Sequence, residues 1–238
     1  VTSAGSGASG RRQKPREPWD QLVHALGFFA IDAVIDVGAN RGQFALGLRR
    51  HGWRGPILSF EPLPDVHAEL SETASADPDW IVAPPLALGA VQGRAVVERS
   101  AESDMSSLLP QNALLRRISP SSRVVGRVEV GLDRLDRRPE VAAGWRRLFL
   151  KVDVQGSEAA VLEGASGLGE RLVGVQLEAG LVPLYEGERD FRATLDAMAA
   201  AGFGLHLLIP GYYERKLGRQ LQVVMVFFRE AGEGGGPA

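Results

Sequence analysis

Val34-Ile35-Asp36-Val37 runs into Gly38-Ala39-Asn40-Arg41-Gly42, and Gln43-Phe44 then opens an amphipathic stretch that carries Leu46 and Leu48. The apolar, β-branched run from Ala33 to Val37 suits a parallel strand covered on both faces. Such a strand requires helices on both sides of a sheet, which confines the chain to α/β architectures. Gly38 and Gly42 permit a sharp turn and a close backbone approach to a ligand. Asn40 between them is the non-glycine residue that best tolerates left-handed dihedrals, so the turn is built for contact.

The ligand class follows from what the turn lacks. A dinucleotide site would read G-x-G-x-x-G and seat a pyrophosphate on the helix N-terminus. This loop reads G-x-N-x-G with Asp36 two residues ahead of it, a charge that repels phosphate and suits the α-ammonium and sulfonium of S-adenosylmethionine. A second apolar run, Ile57-Leu58-Ser59-Phe60, follows after about 20 residues and ends in Glu61-Pro62. A carboxylate there is placed to accept hydrogen bonds from both ribose hydroxyls.

At 238 residues, with strand-like runs recurring between helical stretches, the chain reads as one domain over 19–229. Residues 1–18 are rich in Gly, Ser and Arg and read as a mobile head, and residues 230–238 as a mobile tail. The net charge of −2 recommends neither nucleic acid nor an anionic membrane as a partner. There is no cysteine, which excludes a disulfide framework, a thiolate nucleophile and a cysteine zinc site together. No apolar run approaches the roughly 20 residues of a membrane span, and cytoplasmic is the default expectation.

The periodicities predict a leading helix from Trp19, a strand at 33–37, a helix at 43–51, a strand at 57–61, a helix at 64–74 and a strand at 80–83. Leu86-Ala87-Leu88-Gly89 and Ala95 to Glu98 flank the turn pair Gln92-Gly93 and predict a hairpin. Ser100 to Ser122 is polar and weakly periodic, which reads as a loop over a ligand site. Leu148 to Val152 is a further buried strand ending in Asp153-Val154-Gln155-Gly156-Ser157-Glu158, and Val173 to Leu177 another ending in Glu178. A helix at 191–201 and strands at 205–209 and 223–228 complete the pattern.

Lys151-Val152-Asp153-Val154-Gln155-Gly156-Ser157-Glu158, with Val161-Leu162-Glu163-Gly164-Ala165 after it, strongly resembles the FkbM family of S-adenosylmethionine-dependent methyltransferases. Asp36-Val37-Gly38-Ala39-Asn40, Phe60-Glu61-Pro62, Ala87-Leu88-Gly89, Ser106-Ser107-Leu108 and Leu132-Asp133 precede that motif in family order. The resemblance implies a class I methyltransferase fold: a seven-stranded, mostly parallel sheet with helices on both faces and an antiparallel last strand. It also implies methylation of a hydroxyl on a sugar or natural product. The expected cofactor contacts are Asp36, Gly38, Asn40, Gly42 and Phe44 in the first motif and Glu61 with Pro62 in the second. Ala87, Ser106 and Asp153 complete the set. The third strand ends in Pro84-Pro85 and lacks the acid that many class I enzymes direct at the adenine amino group, leaving backbone near Leu86 and Ala87 as its replacement.

Asp153 and Glu178 are the catalytic candidates, because both close neighbouring central strands on the rim where open α/β sheets bind ligands. They are placed to take the proton of a hydroxyl acceptor, or to hold a magnesium ion that acidifies it. The bland alternative makes Asp153 a helix cap and Glu178 an ion-pair partner. Lys151 reads as half of a structural ion pair and Glu158 as a first-turn helix acid. The expected activity is O-methylation of a sugar or of a polyketide-type or glycosylated natural product. N-methylation and a non-catalytic S-adenosylmethionine-binding role are the rivals.

Overall fold

The computed structural model describes residues 17–141 and 144–229. The expected head therefore lies outside the described residues up to position 16, and the expected tail lies outside them entirely. Helix α1 (Pro18–Phe28) begins with proline in its first turn, where the missing N–H costs nothing. It leads into β1 (Ala33–Val37), α2 (Gln43–Arg50), β2 (Ile57–Phe60), α3 (Pro64–Ala74) and β3 (Trp80–Val82). Next come β4 (Ala87–Leu88), β5 (Gly93–Ser100), α4 (Ala113–Ile118) and β6 (Val124–Asp133). The chain continues through β7 (Leu148–Val152), α5 (Glu158–Gly164), β8 (Leu172–Gly180), α6 (Phe191–Ala200) and β9 (Phe203–Pro210). The short strands β10 (Tyr213–Glu214) and β11 (Arg219–Gln220) precede β12 (Gln222–Arg229).

Seven strands form the main sheet in the order β3-β2-β1-β7-β8-β12-β9. The pairs from β3 to β8 are parallel, and β12 runs antiparallel to both neighbours. This is the class I methyltransferase arrangement. Every residue of β1 and of β7 is buried, as a strand covered on both faces requires. On one face Val34, Ile57 and Phe149 pack with Leu22, Leu26, Phe44 and Leu48 from α1 and α2. On the other, Ile35, Leu58 and Leu150 pack with Val161 and Met198 from α5 and α6.

The register has a consequence for the site. Ser59, Asp36, Lys151 and Gln176 are successive partners across β2, β1, β7 and β8, so their side chains form a polar row on the α1/α2 face. In β1, β2 and β7 the row lies next to the C-terminal residue of the strand.

Two expectations require correction. Residues 86–89 and 95–98 do not pair with each other, because the long strand β6 takes β4 in parallel and β5 in antiparallel fashion, placing Leu132 opposite both Ala87 and Gly93. Glu178 does not end its strand either: β12 pairs with β8 as far as Gly180, which carries the strand two residues further. The segment Ser100 to Ser122 also holds more regular structure than a plain loop, with α4 capped by the Asn112 side chain accepting from the Leu115 N–H.

Helix α5 reaches the small sheet through Gly164, where a Cβ would overlap the backbone carbonyl oxygen of Gly89. Neither atom sits on a flexible side chain, so Gly164→Ala forces helix and strand apart. We expect a lower urea midpoint, by about 1–3 kcal/mol of stability, at an unchanged m-value. An unaltered midpoint would show that α5 tolerates the displacement.

Candidate cofactor and acid site

Two turns meet above the centre of the sheet. The Asp153 N–H donates to the Val37 carbonyl at 3.1 Å, and a Cβ on Gly38 (φ +71°) would overlap the Asp153 carbonyl oxygen. Glycine is therefore required at 38 for both conformation and close approach. Asn40 adopts φ +49°, as its residue type allows. Its N–H donates to Glu61 Oε2 at 3.0 Å while the Leu63 N–H donates to Oε1 at 3.0 Å, so one carboxylate ties the first turn to the second strand end. Burial pushes the Glu61 carboxyl above its ordinary range, and these two donors work against that rise.

A cavity of about 420 Å³ opens over these turns, within the span of roughly 300–1,000 Å³ usual for small-molecule sites. Gly38, Asn40, Phe44, Glu61 and Pro62 line it, as do Ala87, Ser106 and Asp153. The expected backbone stretch at Leu86 and Ala87 is part of its wall, and Trp19 of α1 closes one side, 5.6 Å from the Phe44 ring. The loop expected over the site contributes Ser103, Asp104, Ser107 and Leu108. It is anchored by Asn40 Nδ2 donating to Ser103 Oγ at 3.0 Å and by Ser107 Oγ donating to the Gln155 carbonyl at 2.6 Å. Ser106 Oγ accepts from the Ser100 N–H at 3.1 Å, so this hydroxyl also orders the loop.

Three expected site residues do not line the cavity. Asp36 is fully buried beneath the turn, with Lys151 Nζ 3.0 Å from Oδ1, so its charge is met by the ammonium rather than by a ligand. Gly42, at φ +87°, N-caps α2, and a Cβ there would meet the Trp80 ring at 2.5 Å. Glu178 sits behind the rim and reaches the cavity through Gln155. Lys151 forms the structural pair expected of it and also donates to the Gly38 carbonyl at 2.9 Å.

The residue that sequence reasoning passed over is Gln155. Its Nε2 donates to Asp153 Oδ1 at 2.7 Å and to Glu178 Oε2 at 3.0 Å, and Gln222 Nε2 donates to the same Glu178 oxygen at 2.9 Å. Burial, then the neighbouring Asp153 and Glu158 charges, push the Glu178 carboxyl well above its ordinary range. The available signal was an uncharged amide two residues after a rim acid, but its partner lies 23 residues away. Glu158 Oε1 accepts from the N–H groups of Val154 and Gly156, both at 3.1 Å, and burial pushes this carboxyl up to about 7.

The donor set suits S-adenosylmethionine: a strand-end carboxylate for ribose, apolar walls for adenine, and no cluster of cations for a phosphate. Between Asp153 and Glu178, the pair expected either to take a proton or to hold magnesium, an amide nitrogen presents hydrogens to both carboxylates.

A family model described as a Methyltransferase FkbM domain matches residues 36–205. The methyltransferase domain of bacterial CtHen1 is 13% identical, over 88% of this chain and 96% of that one, with a TM-score of 0.46. The 1,6-didemethyltoxoflavin-N1-methyltransferase of Burkholderia thailandensis, solved with 1,6-didemethyltoxoflavin and S-adenosylhomocysteine, is 12% identical over 90% of this chain and 78% of that one, with a TM-score of 0.47. No curated protein matches the chain.

Replacing Glu61 by Gln leaves one backbone N–H facing an amide NH2 and removes the charge offered to ribose. S-adenosylhomocysteine binding should weaken by about 1–3 kcal/mol in calorimetry, and unchanged affinity in a folded variant would remove Glu61 from the site. Glu158 ionises near 4.5 when unfolded and near 7 when folded, so between these values the folded state binds more protons and stability falls as pH rises. Between pH 5 and pH 8 the parent should lose more stability to urea than Glu158→Gln does. Equal losses would show that Glu158 contributes no pH dependence.

Proposed function

Because this chain belongs to the FkbM family of S-adenosylmethionine-dependent methyltransferases, we propose that it methylates a hydroxyl oxygen of a sugar or of a polyketide-type or glycosylated natural product. The observation that carries this reading is the Asp153 carboxylate on the cavity wall, with Oδ1 engaged by Gln155 and Oδ2 meeting no hydrogen-bond donor among the described residues, 3.9 Å from Lys151 Nζ. A hydroxyl acceptor has to lose a proton as its oxygen bonds to carbon, and a rim carboxylate with a free oxygen is suited to receive it. A neutral amine needs no such base. The polar rim of Gln43, Ser103, Asp104 and Ser106 supports an acceptor bearing several hydroxyl groups.

S-adenosylmethionine supplies a methyl carbon made electrophilic by its sulfonium. Bond formation from the acceptor oxygen to that carbon is matched by cleavage of carbon from sulfur, which leaves as a neutral thioether. The chain's own share is placement and proton transfer. Gly38 to Asn40 and Glu61 would hold the cofactor, Trp19 and Phe44 exclude water from one side, and Asp153 takes the acceptor's proton. Alignment of the three reacting atoms supplies much of the acceleration.

Calorimetry should show saturable binding of S-adenosylmethionine or S-adenosylhomocysteine and none of NAD. With an acceptor found by screening glycosides, Asp153→Asn should lower turnover by about 10²-fold or more, with cofactor affinity nearly intact and no response to chelator. Full turnover by Asp153→Asn would favour N-methylation, and loss of activity to chelator restored by magnesium would replace the direct base with a metal.

A further inference from the structure

Gln155 occupies a conformation that its residue type resists. Its φ is +56°, in the left-handed region, and it is followed by Gly156 at φ +100°. Glycine would adopt the first position without strain, yet a long side chain stands there. Non-glycine residues persist in this region where their surroundings over-determine them, and such positions cluster at functional sites.

The surroundings of Gln155 do over-determine it. Both amide hydrogens are used, one on Asp153 Oδ1 at 2.7 Å and one on Glu178 Oε2 at 3.0 Å. The Tyr185 hydroxyl donates to Oε1 at 2.9 Å, and the Ser107 hydroxyl donates to the backbone carbonyl at 2.6 Å. Two carboxylates on one side and a phenol on the other dictate which end of the amide is nitrogen. Tyr185 is 1% exposed, and burial raises its pKa above the ordinary value, which keeps it a donor. Glu178 is itself braced by Gln222 at 2.9 Å. The side chain therefore spans from a buried tyrosine to a cavity acid.

We propose that Gln155 is the positioning residue of the acid pair: it engages one oxygen of Asp153 so that the other is presented to the acceptor, with Glu178 and Tyr185 as its fixed supports. This rests on the reading of Asp153 as proton acceptor. A loop-tying role alone would be met by the Ser107 bond to the Gln155 backbone, which any residue at 155 offers.

The test compares the full chain with Gln155→Gly, which removes both strain and amide, and Gln155→Met, which keeps the strain and loses the amide. Carboxyl carbon-13 resonances of Asp153 and Glu178 are assigned with Asp153→Asn and Glu178→Gln. Lys151, Asp36, Glu158 and Tyr185 are the other titratable groups facing this pair. In both Gln155 variants the two resonances should move, and that of Glu178 should titrate about one pH unit higher for want of its amide donor. Gln155→Gly should unfold at a higher temperature than Gln155→Met, and S-adenosylhomocysteine affinity should stay at the parent value in both. With a glycoside acceptor in hand, kcat should fall about tenfold or more while KM changes little.

Resonances and titration like the parent's would overturn the proposal, as would a Gln155→Gly variant that unfolds below Gln155→Met. If Asp153→Asn turned over at the parent rate while the resonances behaved as expected, the base assignment would fail with the network intact. An inactive Asp153→Asn beside parent-like resonances in the Gln155 variants would sink the positioning role alone.

Discussion

A buried ammonium holds the two central strands in the geometry that the rest of the site needs. Lys151 is 6% exposed and Asp36 is fully buried, and burial opposes both charges. The ammonium is compensated three ways: Asp36 Oδ1 at 3.0 Å, the Gly38 carbonyl at 2.9 Å and the Val37 carbonyl at 3.4 Å. The negative groups around it, Asp36 first and then Asp153, outweigh desolvation and raise the Lys151 pKa, while burial raises that of Asp36. Removing either partner would leave an uncompensated buried charge, worth about 3–5 kcal/mol. The ammonium is thus a clamp on the Gly38 turn as well as an ion-pair partner.

From that clamp the cavity follows by short steps. Fixing the Gly38 carbonyl fixes the turn, the turn lies against the Asp153 backbone, and Asn40 at its far side is caught by Glu61. Glu61 engages the Leu63 N–H as well, so β1, β2 and β7 present their ends as one rigid rim. The covering loop is attached at Asn40 through Ser103 and at Gln155 through Ser107. A pre-organised rim of this kind suits a reaction whose acceleration comes largely from alignment.

The parts legible in the sequence were those with local signatures. Strand-length apolar runs, the glycine turn and the acid before Pro62 each depend on a few adjacent residues, and Ala33–Val37 and Pro64–Ala74 have the expected bounds. What escaped depends on partners far along the chain. The 86–89 and 95–98 runs read as a hairpin because their turn pair is local, whereas their true partner is β6, whose paired residues lie far along the chain. Asp36 read as a ligand contact because its charge was visible and the neutralising Lys151, 115 positions later, was placed beside it by sheet register. Glu178 seemed to end its strand because the pairing that extends it comes from β12. Periodicity along one strand sets which face a residue takes, but it does not name the distant strand that comes to lie beside it.

The same register brings Asp153, just past the end of β7, and Glu178, within β8, to either side of one amide. Like charges in a poorly solvated rim repel, and a carboxylate pair in direct contact answers by holding a proton between its members. Here Gln155 inserts two donors between them, and Gln222 adds a third on the Glu178 oxygen that Gln155 already engages. The donors oppose the rise that burial imposes on Glu178 and give Asp153 a fixed neighbour instead of a competing base. Lys151, 3.9 Å from Asp153 Oδ2, contributes a positive field from below without taking that oxygen as a close partner. The cavity acid is thus held by an uncharged amide on one oxygen, while the other has an ammonium 3.9 Å away and no hydrogen-bond donor among the described residues. That arrangement joins the left-handed backbone of Gln155 to the rim: from that position one side chain meets both carboxylates and Tyr185 at once.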